Sequence, residues 1–412
     1  MSSITRSAVE AMDARDPLAS CRARFALPSN VVYLDGNSLG ALPLTTSARL
    51  GQVVEAWGRD LIRSWNGHDW IGWPRRVGDR IAPLIGARMG EVIVADSTSV
   101  NVFKLLSAAL DLRRGRSVIL SETDNFPTDL YVAQRLVDAL DKRVELSTVD
   151  APALSGALGR DVAVMMLTHV NYRTGALHDM AALTAAAHDA GALTLWDLSH
   201  SAGAMPLALD EVGVDLAVSG GYKFLNGGPG APAFVFVAER WLERIRPALS
   251  GWMGHARPFD FDTTYEPAPG IERLLVGTPP VLSLAALDAG LETFEGVDLA
   301  QVRAKSVGLG MLFRRLVEQE CDGFGLQLVS PLDPERCGSQ VCYAHPDGYA
   351  IMQGLIANGV IGDFRAPNVL RFGFAPLYVR YVDVFNAVLA LRSVLSTRAW
   401  DDPRFRTRGR VT

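Results

Sequence analysis

A chain of 412 residues with 49% apolar and 21% charged side chains is long enough for two or three domains, each with its own core. A net charge of −5, with no basic run interleaved with aromatics, argues against a nucleic-acid surface, and no run of about 18 apolar residues marks a membrane-spanning helix. Cys21, Cys321, Cys337 and Cys342 show no CxxC spacing, and the first residues, MSSITRSAVEAMDARDPLAS, lack an apolar leader core, so we expect reduced thiols, no metal site and a cytoplasmic protein.

Taken in chain order, residues 1–60 form an N-terminal segment expected to pack with a small C-terminal domain. Residues 61–290 form a large α/β domain, and residues 291–412 a smaller α+β domain. Within the large domain, RSVILSE (116–122), RVELSTV (143–149), VAVMMLTHV (162–170), LTLWDLSH (193–200), DLAVSGG (215–221) and APAFVFVA (231–238) are short apolar runs that predict buried strands. Between them, TDLYVAQRLVDALDK (128–142) and MAALTAAAHDAGA (180–192) have helical periodicity. Continuous apolar strands separated by helices predict a mostly parallel sheet covered on both faces. A long helical region starts near Val281 and continues through 302–320, and GSQVCYAH, DGYAIMQGLIANG and NVLRFGFAPLY then predict the small domain.

In open α/β sheets ligands bind beyond the carboxyl ends of the strands, so the polar residues where each apolar run stops carry the information. Here ADSTSVN (95–101), SETDNFPTDLY (121–131), LTHVNYRTG (167–175), LWDLSHSAG (195–203) and SGGYKF (219–224) deliver hydroxyls, carboxylates, a His and a Lys to one rim. Thr98 and Ser99 sit at a helix start that either caps the helix or holds an anion. Asp197 ends a buried strand, where an ionised carboxylate needs a partner. His200, three residues on, reads by itself as an interior histidine. Lys223 is one of only four lysines in the chain, and the only one set among glycines, which we expect to give a ligand close access to the backbone.

Together, WDLSHSAGAMP and SGGYKFLNGGPG resemble the fold-type I pyridoxal-phosphate enzymes. More narrowly, YLDGNSLGALP (33–43), DSTSVN (96–101), DNFPTDLY (124–131), GWMGH (251–255), LVGTPPVLSL (275–284) and RFGFAPLY (371–378) resemble the kynureninase family. The resemblance implies a seven-stranded, mostly parallel sheet sandwiched by helices, and pyridoxal 5'-phosphate held as a Schiff base on Lys223. It implies that Asp197 pairs with the ring nitrogen, His200 lies beside the ring and Phe126 stacks on it, with Thr128, Asp129 and Thr168 completing the shell. Thr98, Ser99 and Tyr222 would hold the phosphate, joined by Trp252 and Thr278 from the partner of a homodimer. Arg371 would clamp the substrate carboxylate in a bidentate fork, with Asn37 and Trp65 also at the substrate. The implied reaction is hydrolytic Cβ–Cγ cleavage of L-kynurenine, and less well of 3-hydroxykynurenine, to alanine and an anthranilate, with Lys223 and Tyr222 as catalytic residues.

Relatives that favour the 3-hydroxy substrate carry Asn at the position of Thr278 and a His in the aromatic loop, here RSWNGHDWIGWP with Trp65, Trp70 and Trp73. We therefore expect L-kynurenine to be preferred. Three other readings are weaker. A cysteine desulfurase needs a reactive cysteine on a C-terminal loop, and Cys337 and Cys342 flank a strand start. A regulator without turnover does not need the set Lys223, Asp197 and Arg371. A dinucleotide-binding dehydrogenase needs a GxGxxG loop opening a helix, and GGPGAP precedes a strand.

Overall fold

The computed structural model describes residues 3–140 and 143–409. Its centre is a seven-stranded sheet: β1 (Val92–Val94), β2 (Val118–Glu122), β3 (Glu145–Val149), β4 (Val162–Thr168), β5 (Leu193–Asp197), β6 (Leu216–Gly220) and β7 (Ala233–Val237), in the order β1-β7-β6-β5-β4-β2-β3. Strands β2 to β6 pair in parallel, and β7 alone runs antiparallel, to both β6 and β1. All residues of β4, β5 and β6 are buried, which is why these runs carry no apolar–polar alternation.

Helices α1 (Thr46–Asp60), α2 (Thr98–Leu112), α3 (Pro127–Ala139), α4 (Met180–Asp189), α5 (Val281–Glu292) and α6 (Leu299–Glu320) surround and extend this core. Each expected strand is present, but β3 is partly exposed rather than buried, because it is an edge strand paired only with β2. The helix anticipated to 142 ends at Ala139, and its last expected residues lie outside the described ones. The long helical region is broken between α5 and α6, where Gly296 adopts φ +70° and Asp298 caps α6 by accepting from the Ala300 N–H. β1 went unnoticed in the sequence because only three residues pair.

The smaller sheet comprises β8 (Gln327–Leu328), β9 (Gln340–Ala344), β10 (Asp363–Arg365) and β11 (Val369–Gly373), in the order β8-β9-β11-β10. The N-terminal segment reaches it: Val32–Tyr33 pairs in parallel with Val360–Ile361, and the Gly373 N–H donates to the Leu34 carbonyl. No helix among the described residues is long and apolar enough to cross a membrane, and none of their His, Cys, Asp and Glu side chains cluster as a metal site.

Candidate active site

The carboxyl ends of β2, β4, β5 and β6 open onto one cavity of about 250 Å³, lined by Thr98, Ser99, Phe126, Thr128, Asp129, Thr168, Tyr172, Asp197, Ser199, His200, Tyr222 and Lys223. Parallel strands aim their last residues in one direction, so segments up to 125 positions apart in sequence meet there.

Each wall has a local cause. Ser97 is extended at φ −104° and its side chain accepts from the Val100 N–H, so capping falls to Ser97 and leaves the hydroxyls of Thr98 and Ser99, on the first turn of α2, facing the cavity. Pro127 starts α3, which places Thr128 and Asp129 in its first turn. Thr168 is fixed by Asn125, whose side-chain carbonyl accepts from the Thr168 N–H at 2.9 Å and its hydroxyl at 2.5 Å. Tyr172 packs edge-on against Phe126, with ring centroids 5.3 Å apart.

Lys223 Nζ lies 3.0 Å from His200 Nε2. Burial lowers the Lys223 pKa to about 8, with Asp197 opposing that shift. Burial and the nearby Lys223 charge drive His200 well below its ordinary value, so it is neutral. Asp197 accepts the Ser199 N–H at 2.7 Å, and burial raises its pKa. Burial next to Asp197 holds Asp129 well above the carboxylate range, and its Oδ2 makes no hydrogen bond within the chain. Asp197 is thus a buried acid whose ionised form a neighbouring cation would favour.

Of the glycines near Lys223, Gly220 faces the cavity, where a Cβ would lie 2.7 Å from the Tyr222 ring and 3.4 Å from Thr98 Oγ1, while others serve packing. A Cβ on Gly221 would lie 2.6 Å from the Pro232 carbonyl, and one on Gly40 would lie 2.4 Å from the Lys223 carbonyl. Their bare backbones let β6, the lysine turn and the 33–40 segment pack directly; the Gly40 N–H donates to the Tyr222 carbonyl at 2.8 Å.

The remaining expected residues lie elsewhere. Trp65, Trp252 and Thr278 line a separate cavity of about 330 Å³ with Ile62, Asn66, Ile71, Met253 and Phe259. Trp70 and Trp73 are buried. Asn37 is fully buried and donates to Gln340 Oε1 at 3.2 Å. Arg371 is buried behind Tyr172, donating to its carbonyl at 2.7 Å, and its fork edge is taken by Asp363 rather than left open. Asn125, Tyr172 and Ser199 also belong to the site; their residue types do not mark them in the sequence, and only the fixed strand ends place them at the rim.

An amine at a strand-end rim, facing a buried carboxylate and a helix N-terminus with two hydroxyls, fits pyridoxal phosphate at each of its functional groups. With the sheet order, this defines a fold-type I pyridoxal-phosphate enzyme. The Aminotransferase class-V family model matches residues 74–322, and the model for the Kynureninase C-terminal domain matches residues 302–391. A protein named kynureninase from Burkholderia pseudomallei (strain K96243) is 52% identical over 99% of this chain and 100% of its own length. One from Pseudomonas fluorescens is 50% identical over the same shares. The chain belongs to the kynureninase family, pyridoxal-phosphate-dependent hydrolases of carbon–carbon bonds in ketones.

Solved structures share the fold. A cysteine desulfurase from Thermococcus onnurineus NA1 superposes with TM-score 0.76 at 17% identity, covering 96% of this chain and 100% of that one. A cysteine desulfurase from Escherichia coli gives 0.76 at 20%, covering 92% and 98%. The desulfurase chemistry does not follow, because all four cysteines here are buried and burial pushes the Cys342 thiol up to about 12.

Proposed function

We propose that this chain is a cytoplasmic homodimer that hydrolyses the Cβ–Cγ bond of L-kynurenine, in preference to 3-hydroxykynurenine, giving anthranilate and L-alanine. The observation that carries the reading is the convergence of Lys223, His200, Asp197 and the Thr98–Ser99 helix start on one cavity.

Bound there, pyridoxal phosphate supplies an electron sink for negative charge developing at the substrate Cα. The chain does the rest. Thr98, Ser99 and the N-terminus of α2 would hold the phosphate, and Phe126 and Asp197 would hold the ring. Asp197, ionised once a cation lies beside it, keeps the ring nitrogen protonated. Lys223 Nζ removes the proton from Cα, and neutral His200 Nε2 accepts an N–H from Nζ and orients it. Tyr222, whose pKa burial and Asp197 raise, keeps its proton at neutral pH and can donate it as Cβ becomes a methyl group. Water adds to the side-chain ketone, the Cβ–Cγ bond breaks, and the aromatic acid leaves.

Trp252 and Thr278 would enter the partner's site, since they lie in a cavity apart from Lys223 of their own chain. The small Thr278 hydroxyl and the Trp65 indole favour the unhydroxylated ring. Steady-state kinetics on both substrates test this: a higher kcat/KM for 3-hydroxykynurenine overturns the preference, and the absence of both anthranilate from the one and 3-hydroxyanthranilate from the other overturns the whole reading.

A further inference from the structure

The expectation for Arg371 was a bidentate clamp on the substrate carboxylate, and donor accounting argues against its doing so alone. A guanidinium has five N–H donors. In Arg371, Nε donates to Asp363 Oδ1 at 2.7 Å, Nη2 gives one hydrogen to Asp363 Oδ2 and another to Ser38 Oγ at 2.8 Å, and Nη1 donates to the Tyr172 carbonyl at 2.7 Å. Four donors are committed, and the side chain is 1% exposed. One donor cannot make a fork.

A second guanidinium shares the same carboxylate. Arg365 Nη2 lies 2.8 Å from Asp363 Oδ2, and its only other partner among the described residues is the Phe364 carbonyl, 3.5 Å from Nη1. Most of its donors are uncommitted, and its side chain is 34% exposed. The strand geometry places it with the others: Asp363 and Arg365 are two apart on β10 and so share a face, and Asp363 is in register with Arg371 on β11. That face abuts Tyr172, which lines the Lys223 cavity. The positive charge of Arg365 also acts on Lys223, His200 and Tyr222, lowering the pKa of each.

The charges also favour an anion: two guanidiniums share the one carboxylate of Asp363, and burial next to Asp363 raises the pKa of Asp35, which weakens the other negative charge beside them. We propose that Arg365 is a further substrate-binding residue, which takes the α-carboxylate of the amino-acid substrate alongside the remaining donor of Arg371, while Asp363 positions both guanidiniums. This rests on the reading above that the substrate is kynurenine, and extends it to a residue that determines specificity.

The test compares the wild-type holoenzyme with Arg365→Gln and Arg365→Lys on L-kynurenine. It also measures the inhibition constants of two analogues: the amine lacking the α-carboxylate, and the acid lacking the α-amine. For Arg365→Gln, KM rises about ten-fold or more with a smaller change in kcat, and the acid weakens by a similar factor. The amine shifts by less than about two-fold, and Arg365→Lys recovers part of the loss. If Arg365→Gln leaves KM and the acid unchanged, or weakens acid and amine equally, the proposal is overturned. If the wild type does not turn over L-kynurenine, the parent reading falls instead. The binding of the acid to both forms by calorimetry then decides Arg365 separately, equal affinities counting against it.

Discussion

The Lys223 amine must be neutral to attack an aldehyde, and its burial determines how often it is. An unperturbed lysine at 10.5 is neutral about once in a thousand at pH 7.5, whereas at about 8 roughly a quarter of the amines are neutral. The cofactor-free protein should therefore present some two hundred times more nucleophile than an exposed lysine, by this order-of-magnitude reckoning. The same shift costs the cofactor-free fold about 3 kcal/mol at neutral pH. The folded pKa lies below the unfolded one, so the cost is full below pH 8 and disappears as pH rises from about 8 to 10.5. Mixing cofactor-free protein with pyridoxal phosphate and following the visible absorbance from pH 7 to 10 reads the effect, with Lys223→Met as blank. The initial rate should climb about five-fold from pH 7 to 8, about two-fold more by pH 9, and be level above that. A rate that climbs without a break past pH 9.5 would refute the argument that burial sets this amine's reactivity.

Three further outcomes follow from particular contacts. Asp197→Asn keeps the Ser199 contact but loses the charge opposite the ring nitrogen, so kcat should fall by roughly a hundred-fold or more while absorbance shows the cofactor still bound. Lys104 is fully buried on α2, donating to Asp96 Oδ2 and the Leu274 carbonyl, each at 2.7 Å; Lys104→Met should lower stability by about 2–4 kcal/mol in urea titration of the cofactor-free protein. Pairing it with Asp96→Asn should recover part of that loss, and a purely additive double mutant would count against the ion pair. Thr278→Asn should shift the ratio of kcat/KM toward 3-hydroxykynurenine by about ten-fold, measured on both substrates in parallel.

The site was legible where chemistry sits at the end of an apolar run. Asp197 is the last residue of a buried five-residue strand and Lys223 comes three residues after the end of another, so the change from apolar to polar marks the rim without any knowledge of the strand order. Contacts decided by competition were not legible. At Lys104 helical periodicity does not reveal that the charge is answered by Asp96 in a left-handed turn and by a carbonyl 170 residues away. Arg371 read as a free fork because a sequence names donors without saying which are already engaged; Asp363 was unremarkable until β10 and β11 paired it opposite the guanidinium. The glycines around Lys223 are special for more than one reason: at Gly221 and Gly40 a backbone carbonyl, of Pro232 and of Lys223, occupies the place of the missing Cβ, whereas Gly220 faces the Tyr222 ring and the Thr98 hydroxyl. Residue type and local period therefore locate a pyridoxal-phosphate site. Which of its cations meets the substrate depends on how many hydrogen-bond donors the fold has already claimed.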